Sequence, residues 1–348
     1  MTYYRPLPRT DPARPEGALP LAGGWCWFDT VEELHRDAAP RPRPAADIPQ
    51  DARARLCAPR PGLAGLGLDS PRLMGILNVT PDSFSDGGEH FDPSTATAHA
   101  LAMRDAGADI IDIGGESTRP GATEVAFDEE IRRTASVIAA IRAADGTLPM
   151  SIDTRKAPVA RAAHAAGAGF VNDVAGFTFD AALAPFCAGA GLPVCVMHAQ
   201  GPPETMQKDP RYDNVALDVY DWLEARVQAL EAAGIPRGRI IVDPGIGFGK
   251  TLEHNLALLQ NLALFHSMGC PVLLGASRKR FIGTFGGAPE PRARVAGSIA
   301  VALWGVAQGV QVLRVHDVAE TAQALRLWRA ATLGRAPAPS AAGSPATG

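Results

Sequence analysis

The sequence predicts an α/β chain folded as a (β/α)8 TIM barrel, and three observations carry that prediction. Eight short apolar runs recur between residues 72 and 317, and each breaks off at a polar residue. Segments of helical period separate them. The alternation spans about 265 residues, the length of a closed eight-fold barrel rather than of a smaller open sheet.

The elements follow in order. The first run, residues 73–77, stops at Asn78, because Pro81, Asp82 and Gly87-Gly88 do not continue a strand buried on both faces. The second, 110–113, passes into Gly114-Gly115-Glu116. The third ends at Asp153, the fourth at Asn172-Asp173 and the fifth at Met197-His198. The sixth ends at Asp243-Pro244-Gly245, the seventh at Ser277-Arg278-Lys279, and the eighth carries Arg314 and His316. Helices are expected over 94–106, 128–142, 157–166, 213–233, 252–264 and 318–333. Residues 295–313 carry no charge, yet Ser298, Gln308 and Gln311 read as a buried small-residue helix turning at Gly309, not a membrane span.

A hydrophobic content of 46% over 348 residues supports one large core, assigned to residues 66–335. A net charge of −4 argues against nucleic acid as a partner. Five cysteines without a CxxC pair fit reduced thiols in a cytoplasmic protein, and Arg5, Arg9 and Arg14 stand where a signal peptide would be apolar. Residues 1–65 hold eleven of the 30 prolines and are expected to be a mostly extended or mobile extension. One island there, around Trp25, Trp27 and Phe28, is aromatic enough to order, and Thr30 to Glu33 has the spacing of a capping box ahead of a short helix. Residues 336–348 read as a disordered tail.

In a barrel of this kind the strand C-termini form the active face, so Asn78, Asp153, Asn172, Asp243, Lys279, Arg314 and His316 are expected in one cavity. Closing the ring sets strand one beside strand eight. Asn78, Arg314 and His316, with Arg278 and Lys279, then form a basic arc suited to a phosphate-like anion. Across the mouth, Asp153, Asn172 and Asp243 offer acceptors to a flat heterocycle bearing N–H and NH2 groups. Asp173 reads better as a cap, and Asp112 fits a structural role equally well. His198 alone reads as a supporting residue, since the chain has no nucleophile motif to pair with it. Gly245-Ile246-Gly247-Phe248-Gly249-Lys250 lacks the spacing of a nucleotide loop.

Five ordered motifs carry a family resemblance. They are Asn78-Val79-Thr80-Pro81-Asp82-Ser83-Phe84-Ser85-Asp86-Gly87-Gly88, Gly114-Gly115-Glu116-Ser117-Thr118-Arg119-Pro120-Gly121, Asp243-Pro244-Gly245-Ile246-Gly247-Phe248-Gly249-Lys250, Ser277-Arg278-Lys279 and Arg314-Val315-His316-Asp317. With these, the chain resembles the bacterial dihydropteroate synthases over about residues 66–330. The resemblance implies condensation of 6-hydroxymethyl-7,8-dihydropterin diphosphate with 4-aminobenzoate, giving 7,8-dihydropteroate and diphosphate. It implies a pterin set of Asp153, Asn172, Asp243 and Lys279 with Phe248 and Met197. The diphosphate set is Asn78, Thr118, Arg314 and His316, with Mg2+ at Asn78. Asp153, Lys279, Arg314 and His316 are the implied catalytic residues.

Phe84, Asp86, Ser117, Thr118, Arg119, Pro120 and Arg280 are implied on the 4-aminobenzoate side, within two loops (80–91 and 117–123) expected to act as lids. Arg280 stands where many relatives carry a small hydroxyl residue. Sulfonamide inhibitors at the same place and a homodimer through late barrel helices are further implications. A pterin-dependent methyltransferase would share the pocket without needing Arg314, His316 or the Ser117–Pro120 lid. A silent pterin-binding paralogue would not need both polar groups complete.

Overall fold

The computed structural model describes residues 1–80, 93–117, 124–201 and 205–334. The first sixty residues fold back onto the barrel. Strands β1 (Tyr3–Pro6), β4 (Thr30–Leu34) and β5 (Arg41–Pro44) form an antiparallel sheet in the order β1-β4-β5, while β2 (Leu19–Pro20) pairs with β3 (Trp27–Phe28). Helix α1 (Gln50–Cys57) follows. The short helix expected from Thr30 is therefore a strand. Val31 and Leu34 are buried, and pairing with both β1 and β5 satisfies the backbone that a helix would have satisfied locally. Pro42 and Pro44 sit on the edge strand, where a missing N–H costs least.

Far from trailing, the extension has its own core of Leu21, Cys26, Phe28, Val31, Ile48 and Leu56. It docks through Trp25, whose Nε1 donates to the Val306 carbonyl at 2.8 Å, and through Tyr3, whose hydroxyl donates to Asp221 at 2.9 Å.

The barrel strands are β6 (Arg72–Asn78), β7 (Ile110–Gly114), β8 (Met150–Asp153), β9 (Phe170–Asp173), β10 (Val194–Met197), β11 (Ile240–Asp243), β12 (Leu273–Leu274) and β13 (Val312–Val315). They are parallel in the order β11-β10-β9-β8-β7-β6-β13-β12, and a parallel bridge between Val242 and Val272 closes the ring. Helices α2 (Pro93–Ala106), α3 (Phe127–Ala144), α4 (Ala157–Ala166), α5 (Leu183–Ala190), α6 (Val215–Ala232), α7 (Leu252–Gln260), α8 (Arg280–Phe285), α9 (Val295–Ala307) and α10 (Val318–Leu333) follow the strands. The helix expected over 252–264 ends early. At Asn261 the side chain turns back to the Ala257 carbonyl, and a 3-10 run, Leu262–Met268, takes over.

Two apolar layers follow from strand alternation. Leu77, Ile113, Ile152, Val171, Val196 and Val242 belong to the large core beneath the helices. Met74, Ile110, Phe170, Cys195, Ile241, Leu273 and Val312 form an inner layer, closed from below by Leu63 and Leu68. This plug straddles residue 65, so the barrel's floor is built partly by the segment that precedes it in sequence. The glycines of α9 serve contacts inside the chain: a Cβ on Gly297 would stand 2.4 Å from Ile282, and one on Gly305 2.7 Å from Leu274. Among the described residues no helix is long and apolar enough to cross a membrane, and the uncharged 295–313 segment is helix α9, a turn at Gly309 (φ +81°) and β13.

Candidate active site

Above the apolar floor the inward-facing residues change character, because the same alternation that aims Ile110 inward also aims Asp112. The Arg314 guanidinium donates from Nε to Asp112 Oδ2 at 2.6 Å and from Nη2 to Asp153 Oδ2 at 2.7 Å. Asp112 also accepts from Ser151 Oγ at 2.6 Å and from Asn172 Nδ2 at 3.1 Å. Four strands, β7, β8, β9 and β13, thus meet in one buried network. Burial by itself lowers the Arg314 pKa, but the carboxylates of Asp112 and Asp153 outweigh it and hold the group charged. Burial pushes Asp153 above the ordinary carboxylate range, with Arg314 pulling down and Asp112 pushing up.

One atom of this network stands out. Asp153 Oδ1 is buried and has no hydrogen-bond partner among the described residues. An acceptor left in that state costs about 1–3 kcal/mol, which a ligand donor would recover.

The ladder sets the neighbours of Asp153. Asn78 pairs in register with Gly114, Gly114 with Asp153, and Asp153 with Asn172, so these four lie side by side across β6 to β9. Without a side chain, Gly114 leaves room: a Cβ there would lie 3.5 Å from the Asp153 side chain. Further round, Met197 pairs in register with Asp243. Burial raises the Asp243 pKa to about 6, although the Gly245 N–H, donating to its Oδ1 at 2.7 Å, and Lys279 oppose the shift.

The Gly245, Gly247 and Gly249 triplet has a steric origin rather than a nucleotide-binding one. All three have positive φ (69°, 84° and 60°), and a Cβ on Gly245 would stand 1.9 Å from the His198 carbonyl. A Cβ on Gly247 would stand 3.0 Å from Lys279. That close approach carries the Lys279 ammonium over the Phe248 ring, 3.8 Å from its centroid. Lys279 therefore lies with the Asp243 and Phe248 group. His316 accompanies Ser277, whose Oγ lies 3.0 Å from Nδ1 and accepts from the His316 backbone N–H at 3.2 Å.

Arg278 departs from the expected basic arc. Its backbone is left-handed (φ +57°), its Nε donates to Asp317 Oδ2 at 3.0 Å, and its N–H donates to Ser298 Oγ at 2.9 Å. The side chain is spent on the α8–α10 junction. Asp173 accepts from the N–H groups of Ala175 and Phe177, both at 2.7 Å, and so shapes the turn after β9. Ser117 and Arg280 are exposed, Arg280 at the first position of α8. Phe84, Asp86, Thr118, Arg119 and Pro120 lie outside the described residues.

The residues that sequence reasoning undervalued are Asp112, Ser151 and Ser277. For Asp112 and Ser151 the signal was alternation, since Asp112 precedes Gly114 by two and Ser151 precedes Asp153 by two; Ser277 lies beyond the end of β12, and only its place beside Arg278 and Lys279 marked it.

A family model described as pterin binding enzyme matches residues 74–316 of this chain. This chain belongs to the pterin-binding enzymes. Dihydropteroate synthase of Escherichia coli strain K12 is 47% identical over 262 residues, 75% of this chain and 92% of its own length. The pterin-binding fold is shared with two solved structures. A Xanthomonas albilineans dihydropteroate synthase with 4-aminobenzoic acid superimposes with a TM-score of 0.71 at 48% identity, covering 76% of this chain and 95% of that one. A Yersinia pestis dihydropteroate synthase in a sulfonamide drug complex gives 0.73 at 44% identity, covering 78% and 98%. The family match begins at Met74, so the folded extension lies outside the pterin-binding unit.

Proposed function

We propose that the chain is a dihydropteroate synthase that joins 6-hydroxymethyl-7,8-dihydropterin diphosphate to 4-aminobenzoate and releases diphosphate. The unpartnered Asp153 Oδ1 carries this reading: a buried acceptor, next in register to Asn172 and across the mouth from Asp243, matches the N–H and NH2 edge of a dihydropterin. Lys279, Phe248 and Met197 border the same space. Asn78, Arg314 and His316 stand toward the neighbouring sector and take the diphosphate. Thr118, with the 4-aminobenzoate residues Ser117, Arg119, Pro120, Phe84, Asp86 and Arg280, completes the site; sulfonamides compete there.

The chemistry needs no protein nucleophile. Arg314 and His316 neutralise the departing diphosphate, while the electron-rich dihydropterin, held by Asp153, Asn172 and Asp243, tolerates positive charge at its exocyclic methylene. The neutral arylamine attacks the methylene whose C–O bond to diphosphate has broken, its surplus proton passes to the departing diphosphate, and the protein positions the amine and excludes water. The donor set also suits Mg2+. Among the described residues no three His, Cys, Asp or Glu side chains form a metal cage, and Asn78 offers a single amide oxygen. Mg2+ commonly takes one or two protein oxygens beside substrate phosphates, so Asn78 would hold an ion that arrives with the diphosphate and supplies charge neutralisation.

We further propose a homodimer through the late helices. Support comes from Leu256 on α7, Trp304 on α9 and Leu327 on α10, which are large, apolar and exposed. A cytoplasmic location is in keeping with Cys26, Cys57, Cys187, Cys195 and Cys270, all free thiols.

The test is direct. Purified chain with both substrates and Mg2+ should form diphosphate and dihydropteroate in equal amounts. Neither product, from protein that folds, would withdraw the proposal.

A further inference from the structure

Lys250 closes the glycine-rich loop after β11 and is buried, only 4% exposed. Its Nζ donates to the Phe248 carbonyl at 2.9 Å and to the His198 carbonyl at 3.4 Å, and lies 3.0 Å from His198 Nδ1. Burial lowers the Lys250 pKa to about 7, with Asp243 opposing the shift, and in the protonated form three acceptors meet its three donors. Burial, with the lysine charge beside it, pushes His198 down to about 2, so the ring is neutral and able to accept at Nδ1.

What the ammonium joins gives it meaning. His198 follows Met197 directly, and its N–H donates to the Asp243 carbonyl at 3.0 Å. Phe248 supplies the ring under Lys279. The two loops also interlock sterically, since Gly245 has no room for a Cβ against the His198 carbonyl and Gly249 none against Gln200. The Tyr212 hydroxyl donates to the Gly249 carbonyl at 2.8 Å, bracing the far side.

We propose that Lys250 is a positioning residue for the pterin pocket: it ties the loop after β10 to the loop after β11 and so sets Met197, Asp243 and Phe248 in register with one another. The inference rests on the proposed synthase reading and deepens it. Because the loops that Lys250 ties carry Met197, Asp243 and Phe248, all assigned above to the pterin, its loss should affect the two substrates unequally.

The experiment compares wild type, Lys250→Met, His198→Leu and His198→Gln. Affinity for 6-hydroxymethyl-7,8-dihydropterin diphosphate is measured by calorimetry without 4-aminobenzoate, KM for each substrate at saturation of the other, and folding by urea midpoint. Lys250→Met should weaken pterin binding about tenfold or more, with the 4-aminobenzoate KM within about twofold. His198→Leu should follow in the same direction. His198→Gln, whose amide oxygen can accept from Nζ, should stay near wild type. Unchanged pterin affinity in the folded variants overturns the proposal, as does an equal change in both KM values. Should Lys250→Met not fold, the His198→Leu and His198→Gln pair decides by the same criteria. Failure of the wild type to bind the dihydropterin or turn over would instead overturn the synthase reading itself.

Discussion

Two buried charge clusters sit three residues apart in sequence, and they differ in one respect that separates support from function. Around Lys156, everything is satisfied. Its Nζ contacts Glu116, Glu130 and the Val125 carbonyl at 2.8, 2.8 and 2.7 Å. Glu130 also accepts from Thr154 at 2.7 Å, and Glu116 from Arg155 at 3.0 Å and the Val125 N–H at 3.3 Å. The cluster around Arg314 has the same ingredients, two carboxylates and a cation, but leaves Asp153 Oδ1 without a partner among the described residues. A closed network holds the backbone on both sides of residues 117–124. An open one leaves an acceptor for a ligand. Burial and charge alone do not distinguish them; the accounting of donors and acceptors does.

The largest expected effect tests the closed cluster. Lys156→Met strands Glu130 without its cation and leaves Glu116 with Arg155 alone, and urea unfolding should show a loss of about 3–5 kcal/mol. A stability loss below about 1 kcal/mol would show that the cluster is not the support described.

Next comes the open cluster. Asp153→Asn replaces an acceptor with a group carrying donors that face the pterin's donors, so pterin affinity should drop by about 1–3 kcal/mol with little change in unfolding. Asp243→Asn should act in the same way. Wild-type affinity in both would remove the carboxylates from the pocket and end the contrast between the clusters.

A pH titration sharpens the same point. Asp243 is raised to about 6 and burial raises Asp153 as well, so their carboxylate forms, the acceptors, are present at higher pH and are lost as pH falls through these shifted values. Pterin affinity measured by calorimetry should therefore weaken as pH falls through about 6, and Asp243→Asn should leave a shallower profile set by Asp153 alone. An affinity rising toward pH 5 would contradict the acceptor role.

The smallest effect on turnover is expected from the extension. A chain starting at Pro61 loses the docked sheet but keeps Leu63 in the barrel floor, and turnover should stay within about twofold while the melting temperature falls. Starting at Gly67 removes Leu63 as well, and calorimetric or urea unfolding should report a further loss of about 2–3 kcal/mol. Lost turnover in a folded chain starting at Pro61 would give the extension a part in the site.

Much of this molecule was legible without coordinates. Strands β6, β8, β9 and β11 ended at the polar residues Asn78, Asp153, Asp173 and Asp243, whereas β12 stopped at Leu274, short of Ser277; α4 and α10 have the bounds the periodicity implied, and Asn78, Asp153 and Asn172 share one level of the ladder. Helix α5 was not legible, because Leu183–Ala190 is short and apolar on all sides and shows no amphipathic period. Nor was the role of Arg278. A positive φ, rather than its residue type, turns it from the expected arc to Asp317.

By itself the sequence determined the alternation of strand and helix, the polar strand ends and the glycine positions, because these follow from local periodicity and backbone sterics. Tertiary structure decided the rest. Thr30–Leu34 became a strand only because β1 and β5 bracket it, Leu63 became a floor only beneath a closed ring, and Arg314 met Asp112 and Asp153 only across it. Hydrogen-bond partners distant in the chain are chosen by the packing that brings them together, and no local pattern encodes that choice.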